Sequence, residues 1–287
     1  MPFYAYAWVA SIFFGLVAII GKLTSKYAIT NPFLFNFLWN LFSLIITAIL
    51  AIGSGVSLPQ AWTNIIFAGL FYSLFGIFYI LGLSRLDVSV FSPLFNFRVI
   101  IGVLLGAIFL GEKLAFWQVF LVALIFIAGM FVSIDEKLSL KSFFKKNIAI
   151  VILATAFYSF GNVFMNKSIA QNGYWTSSLF VAATNQMFLL ITIFFFAKDF
   201  RQINIKSLGS TLAMSLALAI ADLSANKAYA VNVGISSLIT ALPISMILAF
   251  ILSFIYPKLL EKHTLKVYAI RFFAAAVMII AALKLSS

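Results

Sequence analysis

The chain has 287 residues, of which 64% are hydrophobic and only 9% charged, against roughly a quarter charged in an ordinary soluble domain. That composition excludes water as the main solvent, and the absence of cysteine excludes disulfides, thiolate metal sites and cysteine nucleophiles. A formal net charge of +12 would suit nucleic acid, but the basic residues fall in short connections between apolar runs. They form no continuous patch, which is the pattern of charges marking the cytoplasmic face of a membrane rather than of a nucleic-acid partner.

Apolar runs of about twenty residues, the length that crosses roughly 30 Å of hydrocarbon, recur along the whole chain. Met1 to Tyr6 lacks the basic lead-in of a secretory signal, and the run after it is too long for one, so a retained first span is expected. The first half gives spans at 4–21, 32–52, 62–83, 88–110 and 116–134. Then comes the most polar stretch, 135–147, with Lys137, Lys141, Lys145 and Lys146, read as a surface linker with some amphipathic helix. The second half repeats the scheme at 148–167, 177–197, 208–230, 235–255 and 267–285. The expected fold class is an all-α integral membrane protein of ten transmembrane helices, with one five-helix repeat over 1–134 and a second over 148–287.

An odd number of spans in each half means that two similar halves joined in sequence enter the membrane in opposite orientations. Phe14 and Gly15 of the first span correspond to Phe160 and Gly161 of the sixth, followed by Lys22 and Lys167 near the span ends. Gly111, Glu112, Lys113 and Leu114 have a counterpart in Leu260, Glu261, Lys262 and His263. Such internal duplication suits a carrier, because exchanging the conformations of the halves opens a midplane site to each side in turn.

One motif runs Leu81-Gly82-Leu83-Ser84-Arg85-Leu86-Asp87-Val88-Ser89, continues to Phe109-Leu110-Gly111-Glu112-Lys113-Leu114, and has Gly129 in the next helix. A weaker copy opens at Ala228-Tyr229-Ala230-Val231-Asn232-Val233-Gly234-Ile235-Ser236, but Tyr256-Pro257-Lys258-Leu259-Leu260-Glu261 replaces the clean Gly-Glu ending. With these segments the chain resembles the EamA-type branch of the drug/metabolite transporter superfamily, whose members export amino acids and other small metabolites. The resemblance implies ten helices, a central cavity lined by helices one to four and six to nine, and peripheral fifth and tenth helices.

Of the seven carboxylates only Asp222 falls in the middle of an apolar span; Asp87, Glu112, Asp135, Glu136, Asp199 and Glu261 fall in connections. An ionised carboxylate at membrane depth costs roughly 2.5 to 3.5 kcal/mol on insertion scales. Asp222 is therefore expected to be paired, protonated or facing a wet cavity, either as a proton-coupling site or contact for a substrate amine, or as half of a structural ion pair. Arg98, deep in the fourth span, is the natural opposite charge: it either neutralises Asp222 or grips a substrate carboxylate with its planar fork. Lys227 is read as a span-end lysine reaching water, and Arg271 as snorkelling near the start of the last span.

Amides recur at helical spacing. Asn36 and Asn40, and Asn162 and Asn166, are each four apart and share a face; Asn185 and Gln186 lie in the seventh span, and Asn226 extends the polar face of Asp222. Cavity lining is the reading for Asn36, Asn40, Asn162, Asn185 and Asn226, with interhelical hydrogen bonding as the alternative. Trp39, Tyr79 and Tyr158 add aromatic walls for a cation or planar group. Pro93 and Pro243 are expected inside the fourth and ninth spans, where each removes a helical hydrogen bond.

Lysines and arginines concentrate on one side: Lys22, Lys26, Arg85, Lys137, Lys141, Lys145, Lys146, Lys198, Arg201, Lys206, Lys258, Lys262 and Lys266 against Lys113, Lys167, Lys227 and Lys284. The charge rule places both termini outside the cytoplasm, whereas the resemblance implies both inside. No nucleotide-binding loop is present, and the sole histidine, His263, falls in a connection without a metal-ligand constellation. The expectation is a secondary transporter in a cell membrane, an exporter of a small polar or zwitterionic metabolite such as an amino acid. The expected partners are the lipid bilayer, a small-molecule substrate and a coupling proton at Asp222, with no nucleic acid, cofactor or metal. The alternatives are a proton-coupled exporter of organic cations, a membrane enzyme and a scaffold without transport.

Overall fold

The computed structural model of the chain describes residues 2–98, 100–101, 104–105, 115–134, 140–229, 231, 236, 239–240, 242–255 and 263–286. Among them are ten α-helices and no strand. In chain order they are α1 (Phe3–Tyr27), α2 (Pro32–Ala51), α3 (Thr63–Arg85), α4 (Val88–Leu94), α5 (Phe116–Val132), α6 (Lys146–Asn172), α7 (Tyr174–Leu190), α8 (Ile205–Tyr229), α9 (Ile244–Ile255) and α10 (Leu265–Ser286). Short 3-10 turns occupy Leu140–Phe144, Ile191–Phe195 and Ala197–Gln202. Helix falls on each expected apolar run, and six of the helices are long and apolar enough to cross a membrane. The exterior fits lipid: Phe116, Phe194 and Phe273 are 89%, 88% and 74% exposed, which water would penalise.

Local chemistry sets the boundaries. Asn31 caps α2, its side-chain oxygen accepting from the backbone N–H groups of Phe33 (2.9 Å) and Leu34 (3.3 Å), with Pro32 preset for the first turn. Gly173, at φ +80° and ψ 165°, joins α6 to α7 in a backbone region essentially reserved for glycine, so the chain reverses there without a loop. Pro93 sits inside α4, which gives way to a turn at Phe95 and Asn96. Pro243 likewise falls at a break in the ninth span: Ser236, Ile239 and Thr240 are helical before it and α9 starts directly after it, where a proline is tolerated. The expected linker is less superficial than its charge suggests: Phe143 is only 5% exposed and packs on Phe97 and Phe126. The Gly-Glu motif at 111–114 and its counterpart at 260–262 lie outside the described residues.

The most extensive helix contacts join the two halves: α1 packs along α8, and α3 along α6. Both pairs are antiparallel. Tyr6 at the start of α1 meets Lys227 at the end of α8, while Gly21 meets Met214 nearer its start. Along α3, Phe67 stacks on Phe164, Phe71 on Phe160, and Gly82 reaches Val151. Lys22 donates to the Leu86 carbonyl at 2.8 Å, so α1 and α3 bring their C-terminal ends together. It follows that α6 runs opposite to α1. α5 and α10 pack on each other at the periphery.

One end of the bundle gathers Lys22, Lys26, Arg85, Lys141, Lys145, Lys146, Lys198, Arg201, Lys206 and Lys266; the other holds Lys167, Lys227 and Lys284. At the basic end α2 is tied to the segment after α7. Asn31 hydrogen-bonds Asp199 and the Phe195 carbonyl, Phe33 stacks on Phe195 at 4.9 Å, and Phe37 packs on Phe196 at 5.2 Å.

Candidate functional site

Between the halves lies a cavity of about 610 Å³, bordered by α1 to α4, by α6 to α9 and by residues that flank α4 and α9. That volume suits a small metabolite. Its mouth is at the less basic end, where Leu50, Asn166, Tyr174 and Asn226 are exposed, and its floor is formed by Trp39, Tyr79, Phe91 and Ser215. α5 and α10 contribute nothing to the lining among the described residues.

Asp222 stands on α8 about two turns, roughly 10 Å, from the C-terminal end of that helix. Its side chain is exposed to the cavity. Tyr72 and Tyr174 lie within its electrostatic reach. Arg98 borders the same cavity deeper in, its backbone carbonyl accepting from Ser159 at 3.4 Å. Among the described residues neither Asp222 nor Arg98 has a side-chain hydrogen bond or an ion pair. The hollow thus holds two opposite charges that do not satisfy each other.

The walls between them are amide and aromatic. Asn185 donates to Asn40 at 2.8 Å, and Asn40 donates to the side-chain oxygen of Asn36 at 2.8 Å, a relay that ties α7 to α2. The chain of bonds is incomplete: Asn185 Oδ1, Asn36 Nδ2 and Trp39 Nε1 are buried without a hydrogen-bond partner among the described residues. Tyr72 donates to Asn162 at 2.7 Å, and Asn226 donates to the Tyr174 hydroxyl at 2.8 Å, near the mouth. Trp39, Tyr79, Phe75 and Tyr158 follow one another with ring centroids 5.0 to 5.5 Å apart. Such a surface receives a flat or cationic group.

The family model of EamA-like transporters matches residues 1–134. The first half of the chain is EamA-like. The match covers the half that carries the clearer copy of the sequence motif, Leu81 to Leu114. No curated protein matches the chain. Solved structures share its fold: 27 chains match, and one, a crystal structure described only as that of a protein, superposes with a TM-score of 0.55 at 16% identity, over 97% of this chain and 96% of that one.

Within this fold, Trp39, Asn40, Tyr79, Arg98, Tyr158, Asn162, Asn185, Asp222 and Asn226 all border the cavity. Asn36 does not; it is fully buried behind Asn40, where its oxygen also crowds Gly76 of α3. Tyr72, Tyr174 and Ser92 border the cavity without having been singled out from sequence. Tyr72 had a signal: it lies seven residues before Tyr79, on the same helix face. Lys227 is exposed at the span end over the Tyr6 ring, as a span-end lysine should be.

Of the two alternatives for Arg98, the ion pair with Asp222 is not formed. One expectation about charge is corrected. Arg271 does not snorkel: it is only 2% exposed and donates to the Ile134 carbonyl at 2.8 and 3.2 Å and to the Ser89 hydroxyl at 2.6 Å. It also lies 3.6 Å from Asp87, whose carboxylate meets His263 at 2.6 Å. Burial alone would raise the Asp87 pKa, but the hydrogen bond and charge of His263, with the charges of Arg271 and Lys22, outweigh it and hold the carboxyl below its usual range. A lowered folded-state pKa contributes stability that is complete above about pH 4 and is lost as the pH falls through the lowered value. Melting in detergent should therefore show a Tm that drops as the pH falls below about 4, with a smaller drop in Asp87→Asn.

Proposed function

We propose that the chain is a secondary transporter exporting a small zwitterionic metabolite, such as an amino acid, by alternating access between two inverted five-helix halves. The observation that carries this reading is the pair of opposite charges, Asp222 and Arg98, facing one cavity with no partner among the described residues. An isolated charge in a hollow at membrane depth is costly unless water, a proton or a solute meets it. A zwitterion offers an ammonium for Asp222 and a carboxylate for the Arg98 fork.

Ten crossings in two inverted repeats are supported by the opposite directions of α1 and α6, by the equivalent antiparallel pairs α1 with α8 and α3 with α6, and by a family match that stops at residue 134. The basic end is assigned to the cytoplasm on the charge rule. The cavity then opens outward, with the aromatic and Asn31–Asp199 contacts as the closed inner gate, in a bacterial or archaeal cell membrane. A proton bound at Asp222 is the proposed coupling ion.

The second reading, export of organic cations, draws on the aromatic wall and Asp222, but it leaves Arg98 repelling the cargo. Uptake into proteoliposomes distinguishes the two, using labelled amino acids, their decarboxylated amines and quaternary cations, with and without a pH gradient. Saturable uptake of a zwitterion supports the first reading, and uptake of cations alone supports the second. Uptake of neither, in vesicles shown to contain folded protein, removes both.

A further inference from the structure

We propose that the contact between Asp87 and His263 is a proton-operated latch that holds the basic end of the molecule shut. Asp87 belongs to the first half, directly before α4; His263 and Arg271 belong to the second half, before and on α10. The imidazole Nε2 and the carboxylate Oδ2 are 2.6 Å apart, with side chains 15% and 26% exposed, so bulk water screens the contact only in part.

The surroundings make the contact a junction. Among the described residues, Asp87 and Tyr268, whose ring meets the imidazole edge-on at 5.7 Å, face His263, while Arg271 and Lys22 of α1 face the Asp87 side of the contact. Arg271 also binds Ser89 and the Ile134 carbonyl, so the start of α4 and the end of α5 are held to α10. α4 reaches the cavity as well: Phe91 and Ser92 border it, and Ser92 hydrogen-bonds Ser245 of α9. Releasing Asp87 from His263 therefore removes one of the two ties, the other being Arg271, on the start of a short, proline-interrupted helix whose other end borders the cavity.

Histidine ordinarily titrates between pH 5 and 8. A neutral imidazole offers Asp87 one hydrogen bond; an imidazolium adds a full opposite charge at the same distance. Protonation thus favours the conformation in which the contact exists, here the one sealed at the basic end, and opening that end releases the proton. This site is separate from Asp222, which lies toward the mouth at the opposite end.

The latch rests on the alternating-access reading, and the test separates the two. The natural chain contains no cysteine, so spin labels can be placed at Thr30→Cys and Leu265→Cys, both exposed, uncharged and at the basic end. Pulsed electron–electron distance measurements in nanodiscs at pH 5.5 and pH 8.0 then report closure. The ratio of closed to open populations should rise about tenfold on acidification, as expected for a tenfold difference in proton affinity between the conformations. His263→Gln, a neutral donor at every pH, should keep the pH 8.0 ratio throughout. His263→Lys, a cation at every pH, should keep the pH 5.5 ratio. Two populations whose ratio ignores pH, or responds equally in His263→Gln, overturn the latch alone. One population under all conditions overturns both the latch and alternating access.

Discussion

Replacing Asp222 by asparagine should abolish the response of transport to an imposed pH gradient. Asparagine keeps the shape and hydrogen-bonding capacity of the side chain but cannot exchange a proton, so the substitution isolates titration from packing. Asp222 faces the cavity on α8 with no partner among the described residues. Its charge is thus met by solvent, a proton or cargo, against an insertion cost of roughly 2.5 to 3.5 kcal/mol for a carboxylate at depth. The check is the initial uptake rate into proteoliposomes with and without a gradient. The ratio should be well above unity in the natural protein and fall to about unity in Asp222→Asn. A gradient response that survives would remove Asp222 from coupling.

Replacing Arg98 by alanine should weaken carboxylate-bearing cargo by about tenfold to a hundredfold, the range that follows from roughly 1.5 to 3 kcal/mol for hydrogen bonds to a charged group. The decarboxylated amine should lose little, or gain, because it never used the guanidinium and no longer faces its repulsion. Arg98→Lys should fall between, retaining charge but not the fork. Competition of each solute against labelled substrate gives the affinities. Equal loss for acid and amine would mean that Arg98 supports the cavity wall without touching cargo.

Much of the fold was legible because lipid imposes a length on every crossing. Helix falls on each apolar run, and the amides at helical spacing share a face: Asn162 and Asn166 both border the cavity, and Asn40 borders it while hydrogen-bonding Asn36 behind it. The breaks at Pro93 and Pro243 were legible too, because each proline lacks the N–H that a continuous helix needs: the helix gives way at Phe95 and Asn96 and again at Leu242 and Pro243. Tertiary pairing was the least legible. Asp222 and Arg98 look like partners because each is the lone opposite charge in its span, yet sequence carries no distance, and the two face the hollow separately. Arg271 looked like an interfacial arginine; its partners, Ser89, Ile134 and Asp87, lie more than a hundred residues away in the chain. His263 looked inert in its connection for the same reason. Phe143 shows the converse, since one buried ring pulls a charged stretch against the core.

The most direct measurement is two-sided labelling of a single cysteine at Ser92, on the cavity wall, in oriented vesicles with a membrane-impermeant maleimide. Alternation of one chamber between the two faces predicts that this thiol reacts from either side, and that acidification suppresses reaction from the basic end. Reaction from one side only, whatever the pH or cargo supplied, would contradict it.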